Sequence, residues 1–240
     1  KAPVSTEVEH RIVWCVEGSD SPLTVEDLGV ANGSGLAFPH MPVSFKVGCL
    51  VVFHFPAQHV GEVRVVRVVQ VLNNRVGPWV DVFYNGDDLG LQDGPMIRRE
   101  WFTNLLAPRY IQYHEAIKAK VPQAKIFFHT CGSVVDLLPD IIETGIDILN
   151  PVQVNAAGMG DTAMLKREFG DEVTFWGAVD TQHVMPNGGP EDVRDEVRRR
   201  IDDLAPGGGY VLNTSHNIQA DVPPENILAL VEALDEFGWY

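Results

Sequence analysis

Residues 79–240 alternate short apolar runs with amphipathic segments, and that alternation constrains the fold more than any other feature of this 240-residue chain. The apolar runs are VDVFY (80–84), KIFFH (125–129), IDILNPV (146–152), VTFWGAV (173–179) and YVLNT (210–214). Their lengths and their β-branched and aromatic content predict buried strands. Between and after them, helical periodicity runs over 97–120, 133–145, 161–169, 190–206 and 224–238. A bend is expected at Pro108, and Gly145 is a natural helix stop. Pro190 with the acids that follow it suits a helix N-terminus. Strand and helix in strict alternation predict an α/β fold with a parallel sheet and helical crossovers.

Each predicted strand ends in polar residues. Asp87 and Asp88 follow the first, His129 and Cys131 the second, and Asn150 and Gln153 the third. Asp180, Gln182 and His183 follow the fourth, and Asn213 and His216 the fifth. Parallel α/β folds bind ligands at the carboxyl ends of their strands, so these residues are expected to converge on one mouth. An open doubly wound sheet and a closed barrel would share this trait.

The rest of the composition narrows the function classes. The net charge of -15 disfavours nucleic acid and anionic membrane surfaces as partners. No apolar run is long enough to span a membrane. Lys1 is followed by polar sequence, so no signal peptide is expected. Three cysteines, Cys15, Cys49 and Cys131, form no disulfide framework and fit a reducing cytoplasm. Residues 1–78 are Val-rich with 6 basic and 7 acidic residues, whereas 79–240 carry 12 basic and 26 acidic. The chain therefore divides into a distinct N-terminal segment, 1–78, and an α/β segment, 79–240.

His129-Thr130-Cys131 is the sharpest chemical signal. Residues i and i+2 leaving a strand point the same way, and imidazole with thiolate suits zinc. A third ligand must come from another strand end: His216 first, with Asp87, Asp88 or Asp180 as additions. The alternative is a buried, inert Cys131 beside a hydrogen-bonded His129. Asp87 and Asp88 are candidates for substrate binding and general acid/base work, or else cap a turn. Asp180 follows a buried strand and is a candidate acid catalyst, or else a cap. Arg198-Arg199-Arg200 reads as a solvated face laced with ion pairs. Gly207-Gly208-Gly209 precedes a strand and reads as a tight turn rather than a phosphate loop.

The stretches GDDLGLQDGPMI (86–97), FFHTCGSVVDLLPDIIETGIDILNPVQ (127–153), LKREFGDEVTFWGAVDTQH (165–183) and LAPGGGYVLNTSHNIQADVPPENI (204–227) resemble the uroporphyrinogen decarboxylase superfamily. That superfamily includes the corrinoid-linked methyltransferases. The resemblance implies a (β/α)8 TIM-type barrel, incomplete or atypical at its N-terminal end, with its site at the strand carboxyl ends. The methyltransferase branch holds zinc by His-x-Cys and a distant Cys. His129 and Cys131 match the pair, and His216 stands near the place of the third ligand. The implied activity is zinc-assisted methyl transfer to or from a thiol, with methylcobalamin supplied by a partner corrinoid protein. Asp87, Asp88 and Asp180 would be catalytic, and Asn150, Gln153, Gln182 and His183 would bind substrate. The decarboxylase branch is metal-free, acts on a tetrapyrrole, and has a His where His216 stands. An inactive truncated homologue is the third reading. Eight strands require three before residue 80, which places candidates near 11–16, 48–55 and 62–71.

Overall fold

The computed structural model describes residues 49–52 and 80–238. They form six parallel strands in the spatial order β1-β2-β3-β4-β5-β6. The strands are β1 (Cys49–Val52), β2 (Val80–Gly86), β3 (Lys125–His129), β4 (Ile148–Asn150), β5 (Thr174–Val179) and β6 (Tyr210–Thr214). Among the described residues, every strand neighbours the next described strand in sequence, with no reversal of order. A doubly wound sheet reverses its winding, so this sequential order is that of a barrel wall. The expected strands near 11–16 and 62–71 lie outside the described residues.

The helices are α1 (Arg99–Trp101), α2 (Ala107–Lys118), α3 (Leu138–Glu143), α4 (Thr162–Phe169), α5 (Val184–Asn187), α6 (Pro190–Leu204) and α7 (Pro224–Phe237). Between α1 and α2 the chain is π-helical over Phe102–Leu106, and the Ala107 N–H reaches the Phe102 carbonyl. The irregularity thus falls in the turn before Pro108 rather than at it. Pro108 has no N–H for the carbonyl four residues earlier, so that turn widens. Strand β4 is shorter than its apolar run and stops at Asn150, because Pro151 has no N–H to extend the ladder. Asp161 caps α4 by accepting the Met164 N–H at 2.9 Å, and Asp192 accepts the Gly189 N–H before α6 at 2.8 Å.

Strand alternation sorts two faces. Phe83, Phe128, Leu149 and Phe175 are fully or nearly fully buried under the helices. Tyr113 of α2 packs edge-on against Phe83 at 5.7 Å, and Tyr110 against Phe128 at 5.2 Å. The opposite face carries Tyr84, Phe127 and Trp176, with successive ring centroids 5.2 Å apart. This aromatic row is the floor beneath the strand ends.

The arginine run divides. Arg198 and Arg199 pair with Asp202 and Asp203 on the surface of α6, as expected. Arg200 is buried, held by both oxygens of Glu196 and by Thr162 of α4. The difference arises because the start of α4 packs on that face of α6. Gly207, Gly208 and Gly209 all take positive φ, between 74° and 85°, which confirms a helix-to-strand turn.

Candidate metal centre at the strand ends

Register builds the site. Gly86, His129 and Asn150 stand side by side at the ends of β2, β3 and β4. A Cβ on Gly86 would overlap the His129 carbonyl, so glycine lets these two strands close up beside the imidazole. One step beyond, Gly90 and Gly132 approach backbone to backbone. Gly132 has φ +85°, and a Cβ there would overlap Gly90. Only glycine at both places allows the loops after β2 and β3 to touch.

That contact brings Asp88 to Cys131. The Asp88 Oδ1 accepts the Cys131 N–H at 2.9 Å. The same oxygen lies 3.8 Å from His129 Nε2, and Cys131 Sγ lies 3.5 Å from that nitrogen. Asp88, His129 and Cys131 thus form a group of ligand atoms all within 4.8 Å of one another. Asp88 is exposed, whereas His129 and Cys131 are half-buried. Burial, with the Asp88 carboxylate beside it, pushes the Cys131 thiol up to about 11. Burial also pushes the Tyr84 hydroxyl up to about 12, with Asp88 and Cys131 adding to the effect. Tyr84 therefore lines this group, although its position inside an apolar strand gave no sequence signal for it.

Other residues hold the ligand group. His129 Nδ1 is 2.6 Å from Asn150 Oδ1, and Asn150 Nδ2 donates to the Trp176 carbonyl at 2.9 Å. Gln153 Oε1 accepts the Gly132 N–H at 2.8 Å, and its amide donates to Gln92 at 3.2 Å. Gln92 in turn donates to the Asn155 carbonyl at 2.6 Å. Thr130 Oγ1 accepts the Leu89 N–H at 3.0 Å. Gln92 and Asn155 have no special spacing, and sequence reading passes over them.

The remaining strand-end residues sit around this centre. Asp87 accepts the Tyr110 hydroxyl at 2.6 Å, and burial and that carboxylate raise the Tyr110 pKa well above its ordinary value. Asp180 is buried. One of its oxygens accepts the Gln182 and His183 N–H groups at 2.7 and 2.9 Å, and the other accepts from Asn155 at 2.8 Å. Gln182 and His183 are exposed at the start of α5. His216 is exposed on the loop after β6 and is not part of the three-ligand group.

A profile of the uroporphyrinogen decarboxylase (URO-D) family matches residues 87–237. The chain is 26% identical over 230 residues to a uroporphyrinogen decarboxylase of Methylococcus capsulatus, covering 92% of this chain and 58% of that protein. It is 40% identical over 73 residues to the Pseudoalteromonas translucida protein of the same name, covering 30% of this chain and 20% of that one. A methyltransferase from Methanosarcina mazei superposes with a TM-score of 0.59 at 19% identity, covering 80% of this chain and 60% of the other. A psychrophilic family 10 endo-β-1,4-xylanase superposes at 0.50 with 11% identity, covering 78% and 76%. At these identities the structural likenesses are of fold, and they bear out the TIM-barrel type. The chain spans just under three fifths of the Methylococcus relative's length. Among the described residues, no helix is long and apolar enough to cross a membrane.

Proposed function

The chain belongs to the uroporphyrinogen decarboxylase family, and from that premise we propose that its strand-end group is a zinc-assisted methyltransferase centre. The observation that carries this reading is the convergence of Asp88, His129 and Cys131. Imidazole nitrogen, thiolate sulfur and carboxylate oxygen are the three donor types zinc accepts, and three protein ligands leave a position for substrate. The donor set therefore fits the ion. In this reading Asp88 takes the place expected for His216.

Asp88, His129 and Cys131 would hold zinc, which would supply the Lewis acidity that favours the thiolate form of a substrate thiol. A corrinoid on a separate protein would serve as the methyl carrier: in the forward direction the C–S bond would form as the carbon–cobalt bond breaks with its electron pair left on cobalt, and the reverse direction would undo this. Asp88 fixes the Cys131 backbone through its N–H, Gln153 fixes the next residue, and Tyr84, Phe127 and Trp176 keep the floor apolar. Cys131 would have to lose its proton to serve as a ligand. Gln182 and His183, exposed at the rim, are available to substrate, while Asp180 holds the loop that presents them. A reducing cytoplasm keeps Cys131 a free thiol.

The names of the curated relatives favour a second reading, metal-free decarboxylation of a tetrapyrrole. The deciding experiment is the zinc-to-protein ratio of the monodisperse protein purified without added metal. A ratio near one, lost in Cys131→Ser, supports the zinc centre. A ratio near zero, with carbon dioxide released from uroporphyrinogen, overturns it in favour of the decarboxylase.

A further inference from the structure

We infer that Asn150 is a positioning residue that selects the tautomer of His129 and so leaves Nε2 bare toward Cys131 and Asp88. This rests on the zinc-centre reading for its purpose, but its geometry stands alone. The amide of Asn150 has a fixed sense. Its Nδ2 lies 2.9 Å from the Trp176 carbonyl, which only accepts, so the nitrogen must be on that side. Oδ1 therefore faces His129 Nδ1 at 2.6 Å, and an amide oxygen only accepts. The ring proton must then sit on Nδ1. In neutral imidazole the other nitrogen carries a lone pair, and here that lone pair is on Nε2.

The consequence is visible on the far side of the ring. Nε2 faces Cys131 Sγ at 3.5 Å and Asp88 Oδ1 at 3.8 Å. In the neutral ring the Nε2 lone pair thus points at the same volume as the Cys131 sulfur and the Asp88 oxygen. Three donors are thereby aimed at one volume before any cation arrives. A ring in the other tautomer would present an N–H there and would need proton exchange before ligation.

Burial and register make the device rigid. Asn150 is only 8% exposed. It is the direct cross-strand neighbour of His129. Both groups of its amide are engaged within the fold, so Asn150 supports the ligand rather than contacting substrate. A hydrogen-bonded partner on the second nitrogen of a ligating histidine is worth about 10–100-fold in metal affinity.

The test uses the full chain. Long-range 1H–15N correlation of the metal-free protein reads the His129 tautomer directly, and zinc affinity is read by chelator competition. The wild type is expected to show an Nδ1–H, Nε2-bare ring. Asn150→Leu, of similar shape but with no acceptor, is expected to show tautomer exchange and about 10–100-fold weaker zinc binding. Asn150→Asp, which keeps an acceptor opposite Nδ1, is expected to retain the tautomer. A wild-type ring protonated at Nε2 overturns the inference, as does Asn150→Leu with an unchanged tautomer and affinity. The wild-type spectrum alone decides the matter if Asn150→Leu does not fold. A wild type with the stated tautomer but no zinc affinity upholds the role of Asn150 and refutes the zinc centre instead.

Discussion

Acidification from about pH 7 to about pH 5 should weaken the fold through one ring, His114 of α2. It is buried between α2 and the sheet. Its Nδ1 donates to the Thr144 carbonyl at 2.8 Å, so its Nε2 accepts from Asn85 Nδ2 at 3.0 Å. Both nitrogens are satisfied only in the neutral form. Burial pushes its pKa down to about 4, against about 6.5 in an unfolded chain. At pH about 5 the unfolded ring is almost fully protonated and the folded ring almost fully neutral. The unfolded state then binds more protons, so stability falls as pH drops below about 6.5. The loss from pH about 7 to about 5 comes to about 2 kcal/mol, and it reaches about 3 kcal/mol once pH passes below the folded pKa. Urea unfolding at a series of pH values measures this, with His114→Gln as the comparison. Glutamine can serve both Thr144 and Asn85 without titrating. The variant should lose about 2 kcal/mol less than the wild type over that range. Equal losses in the two proteins would refute the reasoning. Because Asn85 precedes Gly86 and the Asp87-Asp88 loop, the same acid transition should loosen the ligand group.

Other outcomes follow from the same contacts. Gly177→Ala should cost about 1–3 kcal/mol from backbone strain alone, since its φ is +132°. A Cβ there also overlaps the Pro151 carbonyl, so a drop in urea midpoint beyond that range is expected. Glu196→Ala leaves Arg200 buried without its carboxylate partner and should cost about 3–5 kcal/mol in the same assay. Zinc affinity should rise with pH, because the Cys131 thiol, pushed up to about 11, must lose its proton to bind. Isothermal titration in buffers of different ionisation enthalpy should show that proton released. Removal of zinc by a chelator should lower the melting temperature of the wild type and leave that of Cys131→Ser unmoved.

Much of the architecture was legible in residues 79–240 because its signals are local. KIFFH and YVLNT became β3 and β6 over the same residues, and the 190–206 periodicity became α6. The short helix α5 has no sequence signal, because four residues carry too little periodicity to read. Arg200 looked like its two neighbours in the chain, and only the packing of α4 separated it from them.

The site shows the same division. Local patterning suffices for the alternation of strands and helices, for His129 and Cys131 leaving one strand together, and for the polar residues at the strand ends. Periodicity of side-chain direction is a property of each strand alone, so no tertiary knowledge was needed. Which strand ends touch depends on long-range packing. It set Asp88 against Cys131 across 43 residues of chain, paired Asn150 with His129, brought Tyr84 beneath them and left His216 outside the ligand group. Sheet register and the glycine contact between the loops after β2 and β3 fix those meetings, and both arise from long-range packing that local spacing does not encode.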